Sequence, residues 1–256
     1  MSESTAPAAP SGRTLRVCAL YPDLMNIYAD RGNLIVLERR CAWRGIGFEL
    51  SASSLGERLD SEGYDLFYIG GGQDRDQRLC AEDLLASKAE ALRTAAARDA
   101  VILGVCGGYQ LLGRSYTLGS ERIEGVGLLD LETIREDGPR LIGNVAIEPA
   151  GLPGAPAGAV LAGFENHGGR THLDSGQAPL GRVLRGLGND GRGRFEGAVA
   201  GATIGTYLHG PLLPKNVWFA DWLIARALGL DAQALPPLED EIERQTHAAA
   251  LRAAGV

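Results

Sequence analysis

The sequence predicts an α/β protein with an open, mostly parallel central sheet, flanking helices and a β-rich second half. Short runs of branched apolar residues at 15–20, 65–69 and 101–105 each end in glycine or polar residues. Such runs are typical of strands that are buried on both faces of a parallel sheet. Residues 81–98 show apolar helical spacing without Gly or Pro. They therefore predict the right-handed crossover between the last two strands.

The remaining pattern extends this arrangement toward the C-terminus. We expect a helix around 34–43, a short strand at 48–51 and a closing helix at 217–228. From 125 to 149 short apolar pieces alternate with turns, which predicts a β-rich continuation of the same sheet. A hairpin is expected from 194 to 207, turned at Ala200-Gly201.

The chain of 256 residues, 45% of them hydrophobic, is long enough for one large α/β domain. Residues 1–13 are rich in Ser, Ala and Pro, which predicts a disordered tail rather than a signal peptide. We expect the main domain over 14–230. An Ala/Glu-rich extension of weak helical character follows over 231–256.

Charge and composition exclude several classes of function. The net charge of −7 and the lack of any Lys/Arg run argue against nucleic acid as a partner. Neither of the two lysines follows a glycine, so no P-loop for ATP is possible. The four cysteines contain no C-x-x-C pair, and we expect reduced thiols and no metal site. The reduced thiols lead us to expect a cytoplasmic protein, and no apolar run approaches membrane-spanning length.

The segment 101–110, Val-Ile-Leu-Gly-Val-Cys-Gly-Gly-Tyr-Gln, is the strongest signal of catalysis. It predicts a buried strand, a tight turn and a helix that begins on the turn, with Cys106 at the elbow. A nucleophile on such an elbow stands at the C-terminal edge of the sheet, beside the first N–H groups of the helix. We predict that Cys106 is a nucleophile, and we expect the helix N-terminus to lower its pKa.

Glycine and polar residues follow two other predicted strands at the same edge of the sheet. The triplet Gly70-Gly71-Gly72 can expose backbone N–H groups as an oxyanion hole, or it can be a flexible turn. Asp23, Asn26 and Asp30 follow the first strand, where turn and helix-capping roles compete with a ligand role.

Four histidines are candidates for the base that a cysteine nucleophile needs. His209 ends a predicted strand and is favoured. His167 and His172 lie in a loop and are expected to have structural or substrate-contact roles, and His247 is expected to face solvent. Cys18, Cys41 and Cys80 lack the glycine context of Cys106 and are expected in the core or without chemistry.

The motif at 104–110 resembles the G-x-C-x-G-x-Q elbow of class I glutamine amidotransferases. Residues 70–74 resemble their oxyanion strand, and 207–210 resemble their histidine motif. The set is similar to the cobyrinic and cobyric acid branch. Together with 26–33 and 163–171, it most resembles the glutaminase subunits of lipid II isoglutaminyl synthases. The resemblance covers about residues 15 to 228.

This resemblance implies hydrolysis of L-glutamine to glutamate and ammonia by a Cys106/His209 dyad. It implies oxyanion donors at Gly71 or Gly72 and at Gly107, and a pocket shaped by Gln110. Arg140 corresponds to the substrate-binding arginine of the family, although a surface arginine is the alternative. A guanidinium suits the carboxylate of free glutamine.

One position departs from the pattern of many class I members. They carry a glutamate two residues after the histidine, where this chain has Pro211. The cobyric acid branch shares this lack. The acid that orients His209 is expected to be either Glu165 or an acid from a partner protein.

The resemblance also implies a partner, because this sequence has no ATP site of its own. We expect a heterodimer with a MurT-like Mur ligase subunit that carries ATP and Mg and amidates the D-glutamate α-carboxyl of lipid II in peptidoglycan biosynthesis. This chain would meet the inner membrane face only through the complex. The alternatives are ammonia supply to a cobyrinic or cobyric acid amidase, a γ-glutamyl cysteine hydrolase on the same scaffold, and a catalytically silent interaction protein.

Overall fold

A computed structural model of the chain describes residues 12–27 and 30–256. Most of the predicted tail at 1–13 therefore lies outside the described residues, and so do Tyr28 and Ala29 of the segment 26–33. The remaining chain folds into three β-sheets and seven α-helices within the described residues.

A six-stranded, mostly parallel sheet with helices around it forms the centre, as the sequence predicts. Five strands are parallel to their neighbours, and one edge strand is antiparallel. In spatial order the strands are β13 (Ala198–Ala200), β14 (Thr203–Thr206), β4 (Val101–Val105), β3 (Leu66–Ile69), β1 (Thr14–Leu20) and β2 (Gly47–Ser53).

The helices connect these strands and pack on both sides of the sheet. Strands β3, β4 and β14 are buried along their whole length, because their side chains meet helices or the neighbouring sheets. The helices are α1 (Arg31–Ala42), α2 (Asp74–Asp83), α3 (Ala89–Ala97), α4 (Gly107–Leu112), α5 (Leu212–Lys215), α6 (Val217–Ala227) and α7 (Glu241–Ala254).

The crossover between β3 and β4 begins earlier than its apolar pattern predicts. Helix α2 starts at Asp74, and a π-helical turn at Leu84–Lys88 joins it to α3. The first turns of α2 are polar, so hydrophobic spacing cannot reveal them. The π-turn carries Lys88 into the interior, where its ammonium pairs with Asp83.

The prediction that residues 125–149 continue the central sheet is wrong. These residues belong to two further four-stranded sheets, and 126–130 contain no strand. One sheet has the order β10 (Gly169–Leu173), β7 (Leu131–Arg135), β5 (Ser115–Leu118) and β6 (Glu121–Glu124). The other has the order β12 (Phe195–Glu196), β11 (Gly181–Arg185), β8 (Leu141–Pro149) and β9 (Leu161–His167).

The C-terminal extension is fastened to the body of the molecule by buried charge. Arg40 of α1 is 1% exposed and pairs with Asp221 of α6 at 2.5 Å and with Asp240, just before α7, at 2.8 Å. In the described part of the chain, no helix is long and apolar enough to cross a membrane.

Candidate active site

Cys106 lies between the buried strand β4 and helix α4, in a backbone conformation that few non-glycine residues adopt. Its φ is 53° and its ψ is −106°. Such a conformation costs of the order of 1–3 kcal/mol and persists only where the surrounding structure imposes it. The predicted nucleophile elbow is therefore present at the C-terminal edge of the sheet.

Glycines on both sides of Cys106 permit this geometry. A Cβ on Gly104 would lie 2.8 Å from the backbone of Gly108, and a Cβ on Gly108 would collide with the carbonyl of Ile69. Only glycine lets the start of α4 pack this closely on β3 and β4. The G-x-C-x-G spacing thus reflects backbone packing as well as access to the thiol.

The expected lowering of the Cys106 pKa is wrong for this structure. Burial raises the pKa of the thiol to about 12, and the nearby carboxylate of Asp30 adds to this effect. A hydrogen bond from the Gly107 N–H and the charge of Arg140 act in the opposite direction but do not outweigh burial. The resting thiol is therefore protonated at neutral pH.

His209 comes to the same sheet edge as Cys106, because β14 and β4 are parallel neighbours. Thr206 lies opposite Val105 in the register, and the Cys106 N–H donates to the Thr206 carbonyl at 2.8 Å. His209 itself is bridged to Phe164 of β9 by two backbone hydrogen bonds of 3.0 and 3.1 Å.

The electrostatic environment keeps His209 neutral. Burial, together with the positive charges of Lys215 and Arg140, lowers the pKa of His209 to about 4. A neutral imidazole is the form that can accept a proton. Cys106 and His209 are thus both uncharged at neutral pH.

Glu165, one of the two predicted sources of an orienting acid, is buried and engaged elsewhere. Its two carboxylate oxygens accept hydrogen bonds from the N–H groups of Leu187 and Gly188, at 2.6 and 2.8 Å. These contacts tie β9 to the loop at 186–188. These two contacts do not involve His209, and the orientation of His209 by Glu165 stays a prediction.

Glu196 is a buried acid that the sequence analysis did not single out. It accepts hydrogen bonds from the Tyr207 N–H at 2.6 Å and the Thr206 hydroxyl at 2.9 Å. Burial raises the pKa of Glu196 to about 8. Glu196 therefore anchors the segment that leads from β14 to His209. A glutamate within an apolar hairpin strand is the only sequence signal for this role.

A cavity of about 280 Å³ opens beside the thiol. Four residues of the predicted site line it, namely Gly72, Cys106, Gln110 and Arg140. Its other lining residues are Ile27, Asp74, Gln77, Tyr116, Thr117, Gly119, Arg135, Asn166, His167, Gly168 and Gly169. The size and the mixture of charged and amide groups suit a small polar ligand.

Gln110 forms one wall of the cavity with a fixed side chain. Its carbonyl oxygen accepts from the Gln77 amide at 2.7 Å, and its own amide donates to the Tyr207 hydroxyl at 3.0 Å. Tyr207 is in turn linked to Thr171 at 2.7 Å. Gln110 is thus part of a hydrogen-bonded chain from α2 to β10, and its role in shaping a glutamine pocket stays a prediction.

Two guanidinium groups flank the cavity near Gly168. Arg140 is oriented by Asn166, to which its Nε and Nη2 donate at 2.9 and 2.8 Å. Arg135, which the sequence analysis missed, approaches Gly168 so closely that a Cβ there would collide with it. Two converging guanidiniums are well suited to bind a carboxylate. No local motif marks Arg135, because its position depends on pairing between β7 and β10.

The glycine triplet packs against the segment before α1, and one of its N–H groups is already used. The Gly71 N–H donates to the Asp30 carboxylate at 2.6 Å. The Gly72 nitrogen lies 3.0 Å from where a Cβ of Gly107 would be. Of the two alternatives at this strand, Gly72 is therefore the one left near the elbow, and its oxyanion role stays a prediction.

The capping role expected around α1 falls to Asn26. Its side-chain oxygen accepts from the Arg31 N–H at 2.9 Å. Asp30 occupies the N-cap position but makes no side-chain capping hydrogen bond. The capping alternative is therefore wrong for Asp30.

Of the other three histidines, one lies in the wall of the cavity and two make contacts outside it. His167 lines the cavity, stacks on Tyr207 at 3.5 Å and lies 2.8 Å from the Gly169 carbonyl through Nδ1. His172 lies 3.2 Å from Glu136. The expectation that His247 faces solvent is wrong, because it is half-buried and bonded to the Lys215 carbonyl at 2.8 Å.

The remaining thiols are buried, as expected for core residues. Cys18, Cys41 and Cys80 are unbridged, and burial raises the pKa of each to about 12. Among the described residues, no group of three or more His, Cys, Asp or Glu side chains could hold a metal ion.

The family model of the CobB/CobQ-like glutamine amidotransferase domain matches residues 16–217 of the sequence. The chain belongs to this family. The glutamine amidotransferase shares 37% identity with the GatD subunit of the glutamine-hydrolyzing lipid II isoglutaminyl synthase of Streptococcus pneumoniae, over 90% of this chain and 88% of that protein. It shares 37% identity with the corresponding Staphylococcus aureus subunit, over 88% of this chain and 89% of that protein.

Two further comparisons place this glutamine amidotransferase within its family. The cobyric acid synthase of Desulforudis audaxviator is 35% identical over 56% of this chain, but the match spans 29% of that enzyme. Among solved structures, PurLQS of Thermotoga maritima superposes with a TM-score of 0.56 at 20% identity, covering 93% of this chain and 99% of that chain. The structural likeness shows a shared fold.

Proposed function

We propose that this chain is the glutamine-hydrolysing subunit of a lipid II isoglutaminyl synthase. The observation that carries the proposal is the extent of the match. The chain aligns with nearly the whole of the pneumococcal GatD subunit but with less than a third of the cobyric acid synthase. The GatD relatives are named as subunits of a synthase, so we assign the synthetase activity to a partner subunit.

The proposed chemistry begins with glutamine in the cavity beside the elbow. Arg140 and Arg135 bind its α-carboxylate, and its side-chain carboxamide reaches Cys106. The wall formed by Gln110 limits the length of the side chain that fits. Support comes from the cavity lining and from the two guanidiniums that flank Gly168.

In the first half-reaction, the sulfur of Cys106 forms a bond to the carboxamide carbon while the thiol proton moves to His209. The carbon–nitrogen bond then breaks, and the proton on His209 passes to the departing nitrogen, which leaves as ammonia. Because thiol and imidazole are both neutral at rest, proton transfer must accompany the attack. Water finally cleaves the γ-glutamyl thioester and releases glutamate.

The negative charge that develops on the carboxamide oxygen needs donors close to the elbow. The N–H groups of Gly72 and Gly107 are the proposed donors. Loss of one such donor costs about 3 kcal/mol of transition-state stabilisation in other acyl-transfer enzymes.

The ammonia is then used by a MurT-like Mur ligase subunit that binds ATP and Mg²⁺ and amidates the D-glutamate α-carboxyl of lipid II. Support comes from the two GatD relatives, which are subunits of a lipid II isoglutaminyl synthase. The complex would act in the cytoplasm, at the inner membrane face where lipid II is held.

The experiment that tests the glutaminase is ammonia release by the chain purified together with its ligase partner. Wild-type protein and a Cys80→Ala control are expected to convert glutamine to equal amounts of glutamate and ammonia. Cys106→Ala is expected to lose at least a thousandfold in kcat, because no other group can form the thioester. Equal activity of Cys106→Ala and the control would refute the assignment of the nucleophile. A corrinoid amidase as the co-purifying partner would refute the lipid II assignment.

A further inference from the structure

The peptide groups of the glycine triplet are held in place by contacts from three directions. The Gly70 carbonyl accepts from the Gly108 N–H at 3.0 Å, and the Gly71 carbonyl accepts from the Ile27 N–H at 3.2 Å. The Gly71 N–H donates to the Asp30 carboxylate at 2.6 Å. Both peptide units that flank Gly71 are therefore fixed in orientation.

These contacts determine where the Gly72 N–H points. The described chain contains no cis peptide bond, and in a trans peptide the C=O and the N–H point in opposite directions. The unit that joins Gly71 to Gly72 directs its carbonyl toward Ile27, so its N–H points away from Ile27. Gly72 lines the cavity together with Cys106 and lies beside Gly107. The Gly72 nitrogen therefore lies beside Gly107 of the elbow, with its N–H directed away from Ile27.

Asp30 is the only side chain among these contacts, and its burial needs an explanation. It is 1% exposed, and its Oδ1 atom makes no hydrogen bond within the described structure. Burial raises the pKa of Asp30 to about 7. A carboxyl group in this setting weakens the fold rather than stabilising it. It caps no helix, so local structure does not account for its presence.

The backbone around Asp30 holds its carboxyl against the triplet. The Asp30 carbonyl accepts from the Asn33 N–H at 2.9 Å, and the Asp30 N–H donates to the Ile27 carbonyl at 3.2 Å. A Cβ on Gly70 would lie 3.0 Å from the Asp30 carboxylate oxygen, and one on Gly71 would lie 3.3 Å from it. The two glycines thus leave room for the carboxyl to reach the Gly71 N–H.

We infer that Asp30 is a positioning residue for the oxyanion hole: by holding the Gly71 N–H, its carboxyl fixes the strip 70–72 so that the Gly72 N–H faces the reacting carbonyl. Asp30 itself does not touch the substrate in this arrangement. The inference rests on the proposed glutaminase function and adds the residue that organises its oxyanion donors.

The substitutions Asp30→Asn and Asp30→Ala distinguish the hydrogen bond to the Gly71 N–H from other effects of the buried carboxyl. Asp30→Ala removes the acceptor of the Gly71 N–H, so the segment 70–72 is no longer held in place. We expect kcat for glutamine hydrolysis to fall by about 10- to 1000-fold, with KM changed less than about threefold, because an oxyanion donor acts mainly in the transition state. Asp30→Asn keeps an acceptor oxygen, so its kcat is expected within about fivefold of wild type. Asp23→Asn, an exposed acid of the same segment, is the matched control.

Two probes of Cys106 distinguish a lost oxyanion hole from a disturbed fold. Glutamate γ-semialdehyde adds to the thiol as a hemithioacetal whose oxygen occupies the oxyanion position, and Asp30→Ala is expected to weaken its inhibition by the same factor as kcat. Iodoacetamide alkylates the thiol by displacement of iodide at carbon, which needs no oxyanion donor. Its rate at Cys106, read by mass spectrometry, is expected to be no lower in Asp30→Ala than in wild type.

The measurements are made on the complex with the ligase partner, and each outcome either supports or overturns the role of Asp30. Unchanged kcat in Asp30→Ala overturns the inference, and so does alkylation that slows as much as hydrolysis. Failure of Asp30→Asn to restore kcat overturns the role of the acceptor oxygen. If neither wild type nor Asp23→Asn hydrolyses glutamine, the proposed function fails first and the inference falls with it. If both are active, the kcat of Asp30→Ala tests the inference independently of the proposed function.

Discussion

The thiol of Cys106 and the imidazole of His209 have pKa values that are displaced in opposite directions, and both groups are neutral as a result. Burial raises the pKa of Cys106 to about 12 and lowers that of His209 to about 4. At neutral pH the thiol is therefore protonated, and the imidazole is in the form that can accept its proton. Class I elbows need not hold a thiolate at rest, since the base can take the proton during attack.

This state predicts the pH dependence of Cys106 alkylation in the chain without its partner. A thiol with a pKa raised above the ordinary value is a thiolate only in a small fraction at neutral pH, and that fraction grows about tenfold for each pH unit below the pKa. The logarithm of the iodoacetamide rate at Cys106 is expected to rise with a slope of about 1 from pH 7 to pH 10. A rate that levels off by pH 8 would show a thiolate already formed at rest.

The candidate residues that the sequence brings out stand in local motifs or match a family pattern. Cys106 with its glycines and His209 at the end of a predicted strand stand in local motifs, and Arg140 comes from the family resemblance. Arg135 and Glu196 do neither, because strand pairing and hairpin packing bring them to the site. The contact of Asp30 with Gly71 joins residues from two separate crossovers, so no local pattern contains it.

At the level of elements, the elbow between β4 and α4 depends on how closely the helix approaches the sheet. A Cβ on Gly108 would collide with the Ile69 carbonyl. The backbone of β3 cannot yield as a flexible side chain can, so the helix would have to move.

We therefore predict that Gly108→Ala lowers the free energy of unfolding by about 1–3 kcal/mol, the cost of overpacking a rigid site. Gly143→Ala, on a strand where a Cβ would have nothing within 4 Å, is the matched control and is expected within about 0.5 kcal/mol of wild type. Urea denaturation of the three proteins measures both effects. Equal stability of the two variants would contradict the close packing of the elbow.

The central parallel sheet follows from the sequence because each of its strands is a short apolar run with glycine or polar residues after it. The second half was harder to predict for a physical reason. Its strands pair in two separate sheets, and alternating apolar pieces reveal that a strand exists but not which strand it joins. The polar start of α2 was missed for the opposite reason, since an exposed helical turn carries no apolar period.

At the level of the whole molecule, the C-terminal extension is joined to the amidotransferase body by an ionic cluster. Arg40 of α1 and Arg44, two residues after the end of α1, share Asp221 of α6, and Arg40 also binds Asp240 just before α7. Arg40 is almost completely buried. Its loss would leave Asp240 without this counter-ion and would leave Asp221 paired with Arg44 alone.

Arg40→Ala is accordingly predicted to lower the free energy of unfolding by about 3 kcal/mol or more, as for other buried pairs that lose one partner. The surface pair between Arg226 and Asp99 provides the comparison, and Arg226→Ala is expected to cost less than about 1 kcal/mol. Thermal and urea denaturation of the two variants test the difference. Similar decreases in the free energy of unfolding of both variants would mean that the buried cluster stabilises the fold no more than a surface pair does.

The central claim is that Cys106 releases ammonia from glutamine for use by a ligase on lipid II. The most direct measurement follows the nitrogen from glutamine labelled with ¹⁵N in its side-chain amide, in the complex with the Mur ligase subunit, ATP, Mg²⁺ and lipid II. We predict that the label appears in the α-amide of D-isoglutamine. Cys106→Ala is expected to abolish this transfer but to retain amidation from added ammonium ions. Label transfer that persists in Cys106→Ala, or a complex that amidates lipid II from neither source, would contradict the account.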